Sequence, residues 1–131
     1  MKKLIKKYLK KHLTAHPKHY HFLRWLSEFV MDKESLKDVC YSIAGWVYTS
    51  NSKLYMYLND ILVIDNIVYI YTMRPGLWIG KGGKTIDECK HYINHNRDDE
   101  KIHDYSIRLI EIQNTPYSTF NSALYSYANN W

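Results

Sequence analysis

No apolar run in this chain approaches the roughly 18 residues that a membrane-spanning helix needs, so no membrane partner is expected. The lysine-rich start does not lead into the unbroken apolar core of a signal peptide. It is also too poor in arginine and serine for a mitochondrial targeting segment. Cysteine is scarce. Cys40 and Cys89 lie far apart and form no Cys-x-x-Cys pair, which excludes a disulfide scaffold. Reduced thiols are expected, in an intracellular protein of the cytoplasm or an organelle matrix. Three prolines and five glycines leave no low-complexity linker, and no repeat is present. Catalytic spacing is missing too: no Ser/His/Asp or Cys/His arrangement is recognisable, so an enzyme is not expected. Asp87 and Glu88 are neighbours on an expected helix and point apart, which suits a solvated face rather than an acid/base pair. His16, His19 and His21 match no standard metal spacing and have no cysteine or acid nearby. Neither a metal nor a cofactor is expected.

Acid is absent from the first 24 residues, and this is the most uneven feature of the composition. That stretch holds eight of the 18 Lys and Arg, leaving 10 against 13 acids in the remainder. The net charge of +5 therefore belongs to the N-terminus, and it favours an anionic partner. Within residues 2–14, Leu4, Ile5, Tyr8, Leu9 and Leu13 alternate with Lys2, Lys3, Lys6, Lys7, Lys10 and Lys11. This is the spacing of a helix with one apolar and one basic face. A basic arm laid along RNA phosphates and a surface helix with a solvated lysine face both fit. Pro17 ends this helix or caps the next. A second helix is expected over 20–31, with Leu23, Leu26, Phe29 and Val30 on one face. Asp32 is placed to cap a third, whose apolar positions are Leu36, Val39, Cys40, Ile43 and Val47. The length of 131 residues suits one domain with an extension, here 1–50 as a basic helical extension and 51–131 as the domain. The wealth of Tyr, Asn, Lys and Ile fits an AT-rich genome, such as that of a phage or organelle.

The most informative stretch is Ile67 to Ile86, IVYIYTMRPGLWIGKGGKTI. Period-2 alternation over 67–73 marks a strand. Asp65-Asn66 separates it from the apolar run 61–64, as a two-residue hairpin turn would. Arg74-Pro75-Gly76 stops the strand. A short helix over 76–80, the cluster Gly80-Lys81-Gly82-Gly83 and a helix over 84–95 follow, with Ile86, Cys89 and Ile93 on its buried face. Glycines at the start of a helix let the chain bend sharply beside unpaired N–H groups, which suits phosphate. A nucleotide P-loop does not fit, because its first glycine would fall at Trp78.

The stretch Trp78-Ile79-Gly80-Lys81-Gly82-Gly83-Lys84-Thr85-Ile86 instead resembles the hallmark of the KH domain. The preceding Thr72-Met73-Arg74-Pro75-Gly76 narrows this to the type II KH domain, as found in a bacterial small-subunit ribosomal protein. The resemblance covers about residues 53–131, with Trp78 where the family has a smaller aliphatic residue. It implies an α/β (α+β) fold, a three-stranded mixed sheet packed on helices. It also implies single-stranded RNA, mRNA or rRNA, as the partner, with the Gly-x-x-Gly loop clamping about four nucleotides. On this resemblance Gly80, Lys81, Gly82, Gly83 and Lys84 would hold phosphates. Ile79 and Ile86 would floor the groove, with Arg74, and Arg108 of the second core strand, as further contacts. Lys53–Leu58 looks strand-like, either extending the strand at 61–64 or adding another, and Tyr105–Gln113 looks like the second core strand. Asn94–Asp104 reads as a loop, and Thr115-Pro116 opens a helix bearing Phe120, Leu124, Tyr127 and Trp131. Two alternatives stay open. One is a component of the ribosomal small subunit, although the usual relative has a further C-terminal domain. The other is a KH fold reused for protein contact.

Overall fold

A computed structural model describes residues 1–50, 52–95 and 104–112. The expected helix over 115–131 lies outside the described residues.

The strands form where the apolar runs are. β1 (Asp60–Ile64) and β2 (Ile67–Thr72) are an antiparallel hairpin pairing Ile64 with Ile67 and Asp60 with Tyr71. Asp65 takes the turn with φ +53°, a left-handed conformation that Asp tolerates better than most residues. β3 (Ser106–Glu111) lies parallel to β2 on its other side. The sheet is thus three-stranded and mixed, ordered β1-β2-β3, with the longest helices packed around it. Every residue of β1, and all of β2 except the half-buried Ile67, is buried. The alternation therefore marks the strand without marking a wet face, because both faces of the hairpin are covered.

Residues 1–50 are helical, as expected: α1 (Lys2–His12), α2 (Tyr20–Ser27) and α3 (Lys33–Ser50), with a 3-10 turn at Pro17–His19. Asp32 caps α3, accepting hydrogen bonds from the Glu34 and Ser35 amides. Leu36, Val39, Cys40, Ile43 and Val47 are buried, and Trp46 joins them. α1 is no loose tail. Leu9 and Leu13 are completely buried and belong to the same apolar cluster as β1 and β2. Lys6 and Lys10 reach Asp65 at the hairpin turn, at 2.8 and 2.6 Å. Those two bonds, Lys10 first, hold the Asp65 carboxyl below its ordinary value.

α2 is tied to β1 by a buried carboxylate. Asp60 accepts from the Tyr20 hydroxyl, from Arg24 Nε at 3.2 Å and from the Ile61 amide at 2.8 Å. Burial pushes the Asp60 carboxyl up, and Arg24 opposes it. The Tyr20 ring meets Tyr71 edge-on, 4.9 Å between centroids.

Three expectations are corrected. Residues 52–57 are a 3-10 helix, not a strand. Leu54 and Leu58 are buried while Met56 is exposed, a spacing of four rather than two. α2 ends at Ser27, and Phe29 in the turn after it is exposed instead of facing the core. The helix expected over 84–95 is α5 (Lys84–His95), so Asn94 and His95, which the loop expected over 94–104 overlapped, belong to the helix. Asn94 there bonds the Tyr105 amide and carbonyl, at 2.7 and 3.0 Å, which seats the start of β3.

This packing can be tested at α1 and at the hairpin turn. Leu9→Ala removes a wholly buried side chain and should destabilise the protein by about 3 kcal/mol, read by urea unfolding. No change would mean that α1 is detached in solution. The Asp65 contribution should depend on acid. Its folded carboxyl binds a proton less readily than the unfolded one, so stability is present above the ordinary value of 3.8 and lost as pH falls through the lower folded value. Asp65→Asn should cost up to about 1 kcal/mol at pH 6, as for exposed pairs, and the gap from the parent should shrink below pH 3.8.

Candidate nucleic-acid interface

The glycine loop is held from both sides. Thr72 is buried and accepts from the Arg74 amide at 3.0 Å, turning the chain out of β2. Pro75 opens α4 (Pro75–Ile79), as its fixed φ favours. Trp78 is fully buried within α4. Its indole donates to the Tyr57 carbonyl at 3.0 Å, and its ring lies 6.2 Å from Trp46. The large side chain at this position therefore anchors α4 to the 3-10 segment and to α3.

Gly80, Gly82 and Gly83 adopt φ of +75°, +64° and +80°. At Gly80 a Cβ would fall 2.1 Å from Thr85 Oγ1, so glycine is required by space as well as by angle. At Gly82 and Gly83 nothing lies within 4 Å of such an atom, and their outward side is open. The Gly83 amide donates to the Gly80 carbonyl at 3.2 Å, and the Lys84 amide donates to the Lys81 carbonyl. The Lys81 and Gly82 amides are not among these turn-closing bonds. α5 begins at Lys84, so the loop meets its positive end. Lys81 and Lys84 are both exposed.

The structure gathers Ile79, Gly80, Lys81, Gly82, Gly83, Lys84 and Ile86 into one stretch of surface, flanked by helices that both pack against β3. Ile79 is 44% exposed, an open apolar side chain beside the loop. Ile86 is half-buried. Arg74 is exposed, and its guanidinium lies over the Tyr57 ring, 5.3 Å from the centroid. Arg108 stands apart. It pairs in register with Tyr69 and points to the face of Tyr69 and Tyr71, whereas Ile107 and Leu109 point to the other. Of the basic arm, Lys2, Lys3, Lys7 and Lys11 are exposed, while Lys6 and Lys10 are engaged with Asp65.

Sequence reasoning missed a second exposed feature. Phe22, Trp25 and Phe29 form a chain of ring contacts on the outside of α2 and the turn after it. Their spacing of three and four was present in the sequence, but it is also the spacing of a buried stripe. Among the described residues, no cluster of His, Cys, Asp and Glu could hold a metal ion. No described helix is long and apolar enough to cross a membrane. Burial pushes the Cys89 thiol up to about 12, and it raises Cys40 as well, so both free cysteines are inert. Comparison with protein-family models, with curated proteins and with solved structures finds no match to this chain.

The loop geometry makes a direct prediction. Gly80→Ala meets both a left-handed backbone and the Thr85 side chain. It should destabilise the protein by about 2 kcal/mol or more in thermal melting. Gly82→Ala, with open space around it, should cost about 1 kcal/mol.

Proposed function

We propose that this protein is a non-catalytic binder of single-stranded RNA, built on a type II KH fold, acting inside the cell. The observation that carries the reading is the Gly80–Gly83 loop. It combines three left-handed glycines, two exposed lysines and the start of a twelve-residue helix. The order of elements supports it. A helix, an antiparallel hairpin, two helices around a glycine loop and a strand parallel to the hairpin's second strand is the order that the type II resemblance implies.

In this reading the Lys81 and Gly82 amides donate to a phosphate oxygen, and the two lysine ammonium groups neutralise its charge. Ile79 and Ile86 offer apolar contact to splayed bases beside the loop. Base edges would be read along β3, where Arg108 and its neighbours alternate between faces. The exposed lysines of α1 add a sequence-independent attraction. A small-subunit ribosomal role is the second reading, on the Thr72–Gly76 segment. Sedimentation of the native protein with small subunits separates the two.

The double variant Lys81→Asp, Gly82→Asp should abolish binding of a single-stranded oligonucleotide in fluorescence anisotropy at the concentrations that saturate the parent. It places two carboxylates on the phosphate path while Gly80 and Gly83 keep the turn. The Cβ at position 82 meets open space and Asp tolerates left-handed φ, so thermal melting should show a folded protein. A folded variant that binds as tightly as the parent would rule out the loop as the clamp.

The α1 lysines need a milder test than deletion, since removing residues 1–15 would strip Leu9 and Leu13 from the core. Changing Lys2, Lys3, Lys7 and Lys11 to Gln should weaken all single-stranded RNAs alike. It should also lower the slope of log affinity against log salt by up to about 0.7 for each phosphate that is no longer neutralised. A change in which sequences are preferred would contradict this role.

A further inference from the structure

The end of α1, the 3-10 turn and the outer side of α2 carry two successive series of aromatic ring contacts. His12, His16 and His19 stack in series, with centroids 5.1 and 5.3 Å apart and planes inclined by 24° and 25°. On α2 and the turn after it, Trp25 lies 6.0 Å from Phe22 and 5.2 Å from Phe29. These last three rings are 50%, 57% and 52% exposed for Phe22, Trp25 and Phe29.

The exposure is built in. Leu23 and Ser27 are the buried residues of α2, and Arg24 and Tyr20 are bonded to Asp60 in β1. α2 cannot roll to bury Phe22 and Trp25 without breaking those bonds. Lys11 and Lys18 are exposed on the same segments, and no acid occurs before Glu28, which Arg24 already pairs at 2.6 Å. Exposed rings on a segment that carries exposed lysines, with no ion pair to them among the described residues, offer π-faces to bases and positive charge to phosphates, the pairing that single strands require. A neutral apolar protein surface would match the rings but leave the cations without partners. An anionic bilayer would match the charge and the α2 rings, yet gives the stacked imidazoles no role.

We propose that this ring-lined surface, centred on Trp25, is a base-stacking platform for single-stranded RNA, separate from the glycine loop. It rests on the RNA-binding reading above and adds a second contact surface for the same class of partner. Trp25 supplies the largest exposed ring, and the imidazoles and lysines hold the strand's phosphates alongside it.

The test follows tryptophan fluorescence of the full chain titrated with a short oligouridine. The parent is compared with Trp25→Phe and with the pair Phe22→Ala, Trp25→Ala. The Lys81→Asp, Gly82→Asp protein and inorganic polyphosphate serve as parallel arms. Stacking should quench Trp25, and the quench should be absent from Trp25→Phe while its affinity is largely kept. The Ala pair should bind oligouridine about tenfold more weakly, yet bind polyphosphate as the parent does. The loop variant should retain the quench at higher oligouridine concentration. Thermal melting of the Ala pair should match the parent, because both rings are surface groups. If oligouridine binds with no fluorescence change and no loss in the Ala pair, the platform is overturned while the loop reading stands. If the parent binds no oligouridine, both are overturned. If the Ala pair instead loses binding to phosphatidylserine vesicles and keeps oligouridine, the surface belongs to a bilayer and the proposal fails.

Discussion

The carboxylate of Asp60, buried at the first residue of β1, decides how the N-terminal helices meet the sheet. Withdrawing a carboxylate from water costs several kcal/mol, and only close, well-directed partners offset it. Here Arg24 and Tyr20 from α2 and the Ile61 amide together supply them. A shifted or rotated α2 would leave that charge without its partners, so the bonds fix the orientation of the helix as well as its presence. The same face of β2 carries Tyr69 and Tyr71, and burial raises both hydroxyls. The hairpin is thus covered on a face with marked polar character, by helices whose placement depends on polar contacts as much as on Leu9, Leu13 and Leu23.

The two candidate binding surfaces are held in place by different contacts. The glycine loop depends on the far end of β2, where Thr72 turns the chain and Trp78 locks α4 against Tyr57 and Trp46. Its shape is set by backbone angles that only glycine adopts without strain and by the closeness of Thr85 to Gly80. The aromatic surface of α2 depends on the first residue of β1, because Asp60 holds the opposite side of the helix. One surface takes its shape from backbone conformation. The other takes its outward direction from the bonds of Tyr20 and Arg24 to Asp60.

Charge is partitioned in the same way. Asp65 draws Lys6 and Lys10 to the hairpin turn, so part of the basic face that reads as a nucleic-acid arm also fastens α1 to the sheet. Lys2, Lys3, Lys7 and Lys11 stay exposed. Docking contacts and exposed positive charge therefore coexist on one helix, because lysines on adjacent sides of it face different environments.

Local pattern alone determined much of this protein. The β1–β2 hairpin, the Asp65-Asn66 turn, the Asp32 cap, the α3 core stripe, α4, the glycine cluster and α5 were all legible, since each depends on neighbours in sequence. The mixed three-stranded sheet was legible through the resemblance of Thr72–Ile86 to type II KH domains. Tertiary structure decided what depends on distant partners. Residues 52–57 curl into a helix because Leu54 and Leu58 both enter the core, although the run 53–58 also suits a strand. Phe29 faces solvent because Arg24 binds Asp60, 36 residues away in sequence. Arg108 falls on the Tyr69 face because the parallel register with β2 puts it there. Asp60, an ordinary acid in the sequence, becomes a buried anchor only when Tyr20 and Arg24 arrive from another helix. The physical reason is the same in each case: burial and ion pairing are properties of the assembled core, and no window of neighbouring residues contains them.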